Sequence, residues 1–355
     1  MPLGARIEDD PFVLLLSDRP SERSALARAI GHVITCRTAE VGEALPGGEP
    51  RLAVIDLDAA ALATASSFLD QGAWRSVPRL VLARGGSRPV RLPGASRVLP
   101  AAAPRETVLA GIFAMIEAAT RDARARGRKL HEQGAAATAL VADLFDSAAL
   151  GARIDPASVE QGTEIVLQAV SEVGIRTWLD IVWRHDVGVY QHTLSVAGYA
   201  AAFGATLGLN GGDQGRLARA ALLHDIGKSR IPAEILNKPG RLSPEEWRLM
   251  CRHPVIGADL LVAQGGVEPA VIDVVRHHHE RIDGMGYPDR LAGPAISDLT
   301  RLTAICDVFS ALTERRAYRR PLAPSEALSA MEAERGHLDP VLLRAFAPVA
   351  EQTAS

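Results

Sequence analysis

Leu217-Ala-Arg-Ala-Ala-Leu-Leu-His-Asp-Ile-Gly-Lys228 reads as an amphipathic helix that closes on a titratable pair. Leu217, Ala221 and Leu222 face inward, so His224 and Asp225 fall at the C-terminal end of an apolar face. Gly227 reads as the residue that ends the helix, with Lys228 following. Adjacent side chains on a helix diverge by about 100°, so His224 and Asp225 converge on two neighbouring cations if the carboxylate bridges them. A His-Asp pair is weak evidence alone; the order around it is stronger.

Working outward, six of the ten histidines lie between positions 192 and 279: His192, His224, His253, His277, His278 and His279. A lone histidine is more often a satisfied core or surface residue than a ligand. Several on successive helical segments, with carboxylates beside them, point to metal. His192 sits in a segment whose Leu194, Ala197 and Ala201 mark a buried face. His253 follows a helix opened by Ser243 as N-cap, with Glu246 as its capping-box partner, and Pro254 is expected to bend that helix. His278 and His279 close the apolar helix Ala270–His279, and Asp307 sits within Leu302–Leu312. A buried aspartate there wants a cation or a hydrogen-bond partner. A mixed nitrogen and oxygen donor set suits iron or manganese and leaves other divalent ions open.

The first 120 residues have another texture. Phe12–Leu16, Leu52–Ile55, Leu80–Leu82 and the weaker Arg97–Leu99 are short apolar runs, with a helical pattern over Ser21–Ile30 between the first two. Buried strands alternating with helices predict a parallel α/β sheet. From Arg105 the strand-like runs vanish, and Thr107–Leu130 reads as one long helix. The basic run Arg121–Lys129 reads as a solvated helix face. Everything after about residue 135 reads as helical. The expected organisation is α/β over 11–120, a helical linker and first helices over 121–184, and an all-α bundle over 185–345.

Composition narrows the function classes. The chain has 355 residues, 47% hydrophobic and 23% charged, so wholesale disorder is excluded. Lys plus Arg is 39 against 42 for Asp plus Glu, a net charge of −3, which argues against a protein that coats a nucleic acid polymer. Aromatic residues are only 4%, too few for base-stacking platforms. Cys36, Cys251 and Cys306 form no CxxC, so neither a disulfide framework nor a thiolate metal site is expected. No signal-peptide core and no apolar run of about 18 residues stands in the chain, so a cytoplasmic protein without a membrane span is expected.

The ordered set His224-Asp-Ile-Gly-Lys228, Ile231-Pro232, Ile235-Leu-Asn-Lys-Pro-Gly240, Arg252-His-Pro254, His278-His-Glu-Arg-Ile-Asp-Gly-Met-Gly-Tyr-Pro288 and Asp307 resembles the HD-GYP subclass of HD-domain phosphohydrolases. The likeness runs from about 185 to 340. It implies an all-helical phosphodiesterase that hydrolyses cyclic di-GMP to linear pGpG or on to GMP. It also implies a centre of two or three metals, often iron or manganese. Carried over, His192, His224, His253, His278, His279 and Asp307 would be ligands, with Asp225 as the bridging carboxylate. Members with three metals have a glutamate one turn before the first histidine. Gly188 stands there instead, so two cations are expected. His277 is not at a ligand position. Lys228, Arg316 and Arg319 resemble phosphate contacts, and Asp283, Gly286, Tyr287 and Pro288 form the diagnostic loop, which could order the site or meet protein partners. The loop glycines are expected to supply positive φ. Ser310 stands where the family commonly has aspartate.

The chemistry implied is that of a two-metal clamp on a phosphate, with a bridging water made hydroxide near neutral pH. Other readings keep the metal site but change the cyclic dinucleotide, or make the chain a signalling scaffold that binds nucleotide or a partner without turnover.

Residues 11–120 resemble a response-regulator receiver of flavodoxin-like fold, as in two-component signalling. Asp56 stands where the phosphoacceptor would be. The acidic pair is reduced to Ser17-Asp18, and the hydroxyl and lysine positions look like Ala83 and Ala101. Without them a phosphoaspartate has little to drive a switch. The segment therefore reads as a degenerate receiver, serving interaction or homodimer formation, with Asp56 as a vestigial acceptor that still takes phosphate as the alternative.

Overall fold

A computed structural model describes residues 11–43, 46, 48, 50–69, 74–75, 77–84, 96–184, 188–314 and 320–354. By its internal contacts the chain divides into two units, Met1–Gly127 and Arg128–Ser355.

The first unit holds a parallel sheet of β1 (Phe12–Ser17), β2 (Cys36–Ala39), β3 (Pro50–Asp56), β4 (Arg79–Ala83) and β5 (Ser96–Pro100) in the order β2-β1-β3-β4-β5. This is the flavodoxin-like doubly wound order, whose direction reverses between β1 and β3. Every residue of β1 is buried, as a central parallel strand requires. Phe12, Leu14 and Leu16 enter one core and Val13 and Leu15 the other, following the two-residue alternation of a strand. Helices α1 (Pro20–Gly31) and α2 (Ala59–Leu69) connect the strands. The strand β2 escapes the sequence reading because Cys36-Arg-Thr-Ala39 is a half-exposed edge with no apolar run.

Helix α3 runs from Arg105 to Leu150, much longer than Thr107–Leu130. Beyond Leu130 the helix keeps a buried stripe at helical spacing, Ala137, Val141, Leu144, Phe145 and Ala148, so it continues without a break. The second unit continues with α4 (Pro156–Val182), α5 (Gly188–Thr206), α6 (Gly211–Leu223), a 3₁₀ turn Ile226–Arg230, α7 (Ala233–Leu236), α8 (Pro244–Met250), α9 (His253–Gln264), α10 (Pro269–His277), α11 (Asp298–Thr313), α12 (Pro324–Ala333) and α13 (Pro340–Glu351). Trp178, Tyr199, Phe203, Phe309 and Phe346 lie in its core, all but free of solvent. Burying each such ring stabilises the fold by about 1.5–3 kcal/mol.

Three packing details position the site. The Trp178 indole donates to the Leu194 carbonyl at 3.0 Å, and Gly198 leaves room for that ring: a Cβ there would lie 2.4 Å from it. This locks α5 on α4. Gly227 lets the 3₁₀ turn touch the start of α9, since a Cβ would fall 2.0 Å from the His253 carbonyl oxygen. Its role is close approach rather than a helix-ending positive φ. Ser243 and Glu246 form the expected capping box, but α8 is short, and Pro254 opens α9 instead of bending α8. No helix among the described residues is long and apolar enough to cross a membrane.

Candidate metal centre

His224 caps the end of α6, Asp225 starts the 3₁₀ turn, His253 opens α9 and His278 caps α10. His192 lies within α5 and Asp307 within α11. All six side chains are buried, and they converge. His192, His224 and Asp307 form one group able to hold a cation. His253, His278 and His279 form a second, and His224, Asp225 and His278 a third that links them.

Asp225 divides its oxygens between the groups. Oδ2 lies 3.3 Å from His224 Nε2 and 3.8 Å from His192 Nε2. Oδ1 lies 3.2 Å from His253 Nε2 and 3.8 Å from His278 Nε2. Asp307 also spans the site, with Oδ1 2.9 Å from His192 Nε2 and Oδ2 3.9 Å from His279 Nδ1.

Backbone carbonyls set the tautomers. His224 Nδ1 donates to the Ala221 carbonyl at 2.6 Å, His253 Nδ1 to Met250 at 2.8 Å and His278 Nδ1 to Val275 at 3.0 Å. A carbonyl only accepts, so the proton sits on Nδ1 and the Nε2 lone pair faces the site. His253 Nε2 and His278 Nε2 then meet lone pair to lone pair at 3.2 Å. His224 Nε2 and Asp225 Oδ1 are buried without a hydrogen-bond partner. Facing lone pairs and orphaned acceptors are costly in a protein interior unless a cation joins them. The donor set therefore fits divalent metal.

The electrostatics agree. Burial opposes the charge of Asp225, yet the Lys228 ammonium beside it holds its carboxyl well below the usual range. Burial likewise opposes the charge of Asp307, and the hydrogen bond from His192 keeps it low. Burial drives His278 well below its ordinary value and His279 down to about 3, so both stay neutral and able to ligate.

The site opens at His279, whose side chain is 28% exposed. The Tyr287 ring stands 4.9 Å from it, and burial pushes the Tyr287 phenol up, keeping it protonated. Gly286 lets this loop fold onto the ligand strand of chain: a Cβ would lie 2.6 Å from the His279 carbonyl oxygen. Close approach, not positive φ, is what that glycine supplies; among the loop glycines Gly284 has the positive φ. Asp283 binds Arg281 and the Met285 amide, so it braces the loop rather than the metal. Pro288 follows in the same turn. Lys228 pairs with Asp225 at the half-buried edge. His277 spends both ring nitrogens on Asp273 and Asp289, away from the ligand groups. Arg316 and Arg319 lie outside the described residues.

The sequence reading missed Glu314, whose Oε2 lies 3.0 Å from His192 Nδ1. Its signal was present: Asp307, Ser310 and Glu314 are spaced i, i+3, i+7, one helical face. It also missed the surroundings of Asp56 in the first unit. Asp56 accepts from Ser17 Oγ at 2.9 Å, from Arg19 through two nitrogens at 2.9–3.1 Å and from Arg84 Nη2 at 3.2 Å. Arg84 also pairs with Asp18. Arg19 lies two residues past β1 and Arg84 directly follows β4, both at the carboxyl ends of the strands.

Residues 176–342 match the HD domain family. Within the helical unit, the matched segment has an HD-domain fold. A cyclic di-GMP phosphodiesterase of Pseudomonas aeruginosa, PA4108, is 39% identical over 211 residues, which are 59% of this chain and 51% of that protein. A 3'3'-cGAMP-specific phosphodiesterase 2 of Vibrio cholerae is 36% identical over 154 residues, 43% of this chain and 30% of that one. The chain thus spans about half or less of the length of these relatives. Among solved structures, Bd1817, a HDG"Y"P protein from Bdellovibrio bacteriovorus, superposes with a TM-score of 0.51 at 19% identity, covering 62% of this chain and 70% of that one, a likeness of fold.

Proposed function

We propose that this chain is an HD-GYP-type phosphodiesterase that opens cyclic di-GMP to linear pGpG, using two divalent cations, iron or manganese. The carrying observation is Asp225, which offers one oxygen to the His192 and His224 side and the other to the His253 and His278 side. His192, His224, Asp307 and Asp225 would hold one cation, and His253, His278, His279 and Asp225 the other. Such a pair, when bound, supplies Lewis acidity and a hydroxide at neutral pH.

The chain's own residues do the rest. The Lys228 ammonium, at the edge of the site, is in position to meet a phosphate oxygen as negative charge develops there. Arg316 and Arg319 are assigned to the same task on their place in the motif alone. Tyr287, held protonated over His279, bounds the opening and can donate a hydrogen bond to substrate. Gly188 offers no third carboxylate, which favours stopping at pGpG. The first unit, over about 11–120, is proposed as a degenerate receiver that mediates interaction or homodimer formation, because arginines already hold Asp56.

A second substrate has its own support, since one relative at comparable identity is described as specific for 3'3'-cGAMP. The test supplies Mn²⁺ or anaerobic Fe²⁺, offers cyclic di-GMP and 3'3'-cGAMP separately, and resolves products by chromatography. Linear pGpG that disappears in the His224→Ala/Asp225→Ala variant supports the reading. Turnover of 3'3'-cGAMP alone moves the assignment to that substrate. Metal uptake without turnover of either contradicts both.

A further inference from the structure

His192 differs from the other imidazoles in how its outer nitrogen is held. His224, His253 and His278 stand at helix boundaries, and each gives its Nδ1 proton to the carbonyl three residues earlier: Ala221, Met250 and Val275. Carbonyls at a helix end lack an intrahelical partner, so they are free to accept. His192 lies inside α5, where the preceding carbonyls are engaged in the helix ladder. Among the described residues no local carbonyl accepts from its Nδ1.

The acceptor is Glu314, from the C-cap of α11, with Oε2 3.0 Å from His192 Nδ1. Its side chain is only 13% exposed, so the contact is shielded from water. Ser310, one turn earlier on the same face, reaches only to 3.5 Å from the same nitrogen. A hydroxyl is too short and too weak an acceptor to orient the ring alone.

We propose that Glu314 is a positioning residue for the metal centre: its carboxylate fixes the His192 ring so that Nε2 faces the cation shared with His224 and Asp307. The proposal rests on the two-cation reading of the site. A carboxylate on the outer nitrogen orients an imidazole ligand and raises its basicity, which a carbonyl does less strongly. The cation on the His192 side is therefore the one that depends on Glu314; the cation on the other side, where His253 and His278 are anchored to carbonyls, does not.

The test reads metal directly, without substrate. Full-length wild type, Glu314→Gln and Glu314→Gln/Ser310→Asp are stripped, then titrated with Mn²⁺ while bound and free ion are followed by electron paramagnetic resonance. The wild type is expected to bind two ions. Glu314→Gln should weaken one of them by about 10–100-fold and leave the other unchanged. Ser310→Asp, which puts a carboxylate back within reach of Nδ1, should recover most of that loss. A His192→Ala/Glu314→Gln pair should bind no worse than His192→Ala, because Glu314 acts through that ring; this comparison stands even if Glu314→Gln lowers overall stability. Unchanged binding in Glu314→Gln, an equal loss at both ions, absence of rescue by Ser310→Asp, or additivity with His192→Ala would each overturn the proposal. A wild type that binds two ions but hydrolyses neither dinucleotide contradicts the proposed function and leaves this inference standing, whereas a wild type that binds none overturns both.

Discussion

Each unit of this molecule buries one aspartate at 1% exposure and surrounds it differently. Asp56, at the end of β3, is faced by guanidinium groups: Arg19 and Arg84 reach its oxygens, and Ser17 donates to one of them. Asp225, after α6, is faced by imidazole nitrogens whose protons have been drawn outward to carbonyls. The first carboxylate already has its cations within the chain. The second is faced by the lone pairs of His224, His253 and His278, and Lys228 pairs with it at the edge of the site. Ionisable burial of either kind is tolerated only with compensation. The difference lies in where the compensating charge comes from, and it separates a carboxylate already paired within the chain from one whose surroundings could hold a metal.

Removing the two carboxylates breaks the comparison most sharply. Asp225→Asn deletes the bridge, and both cation uptake and hydrolysis should fall to background in metal titration and product analysis. Asp56→Asn should leave both unchanged. Retained metal in Asp225→Asn would show that the two groups bind independently.

Gly227→Ala should come next in size. Its Cβ would meet backbone of α9 at 2.0 Å, an overlap that no rotamer can relieve. The turn carrying Asp225 must move away from His253, with a stability loss of at least about 1–3 kcal/mol and weaker metal binding. Denaturant unfolding of the metal-free and metal-loaded chain separates the two effects; a variant that unfolds and binds like wild type would refute the packing argument.

Asp56→Asn should be smaller. It leaves Arg19 and Arg84 without their buried partner, but both guanidiniums are partly solvated, at 38% and 26%. With that screening the expected loss is about 1 kcal/mol, confined to unfolding of the first unit. The same closed pocket predicts that acetyl phosphate with Mg²⁺ leaves Asp56 unmodified in intact-mass analysis.

The pH response is the finest distinction. Burial disfavours the charged form of His192, but Asp307 and Glu314 push it up to about 9, above its ordinary 6.5. In the metal-free chain this pairing stabilises fully below about pH 6.5 and is lost as pH rises through about 9. A cation takes the place of that proton, so metal affinity should move the other way. It should strengthen by up to about tenfold per pH unit between those limits. Calorimetric titration at several pH values checks the sign, and a flat profile would contradict the His192–Asp307 geometry.

The candidate ligands were legible in the sequence as a group because metal chemistry restricts residue type: His192, His224, Asp225, His253, His278, His279 and Asp307 all converge. The parallel sheet was legible from its fully buried strands, while the edge strand β2 was not, because Cys36-Arg-Thr-Ala39 has no apolar face to announce it. Gly227 and Gly286 were visible as glycines, but their reason is tertiary: what touches them comes from elsewhere in the chain or from a loop folded back. Arg19 and Arg84 escaped because the reading sought a lysine and a hydroxyl at set positions, and a guanidinium can reach the same carboxylate from another strand end. Glu314 escaped because its role follows from what His192 lacks, a free carbonyl, and that absence exists only once α5 is seen to enclose it.

Elemental analysis of the purified, metal-loaded chain beside its Asp225→Asn variant tests the central claim most directly. Two divalent ions per chain in the first and fewer than one in the second are predicted. A wild-type chain with none, or a variant that keeps both, would contradict a centre joined through Asp225.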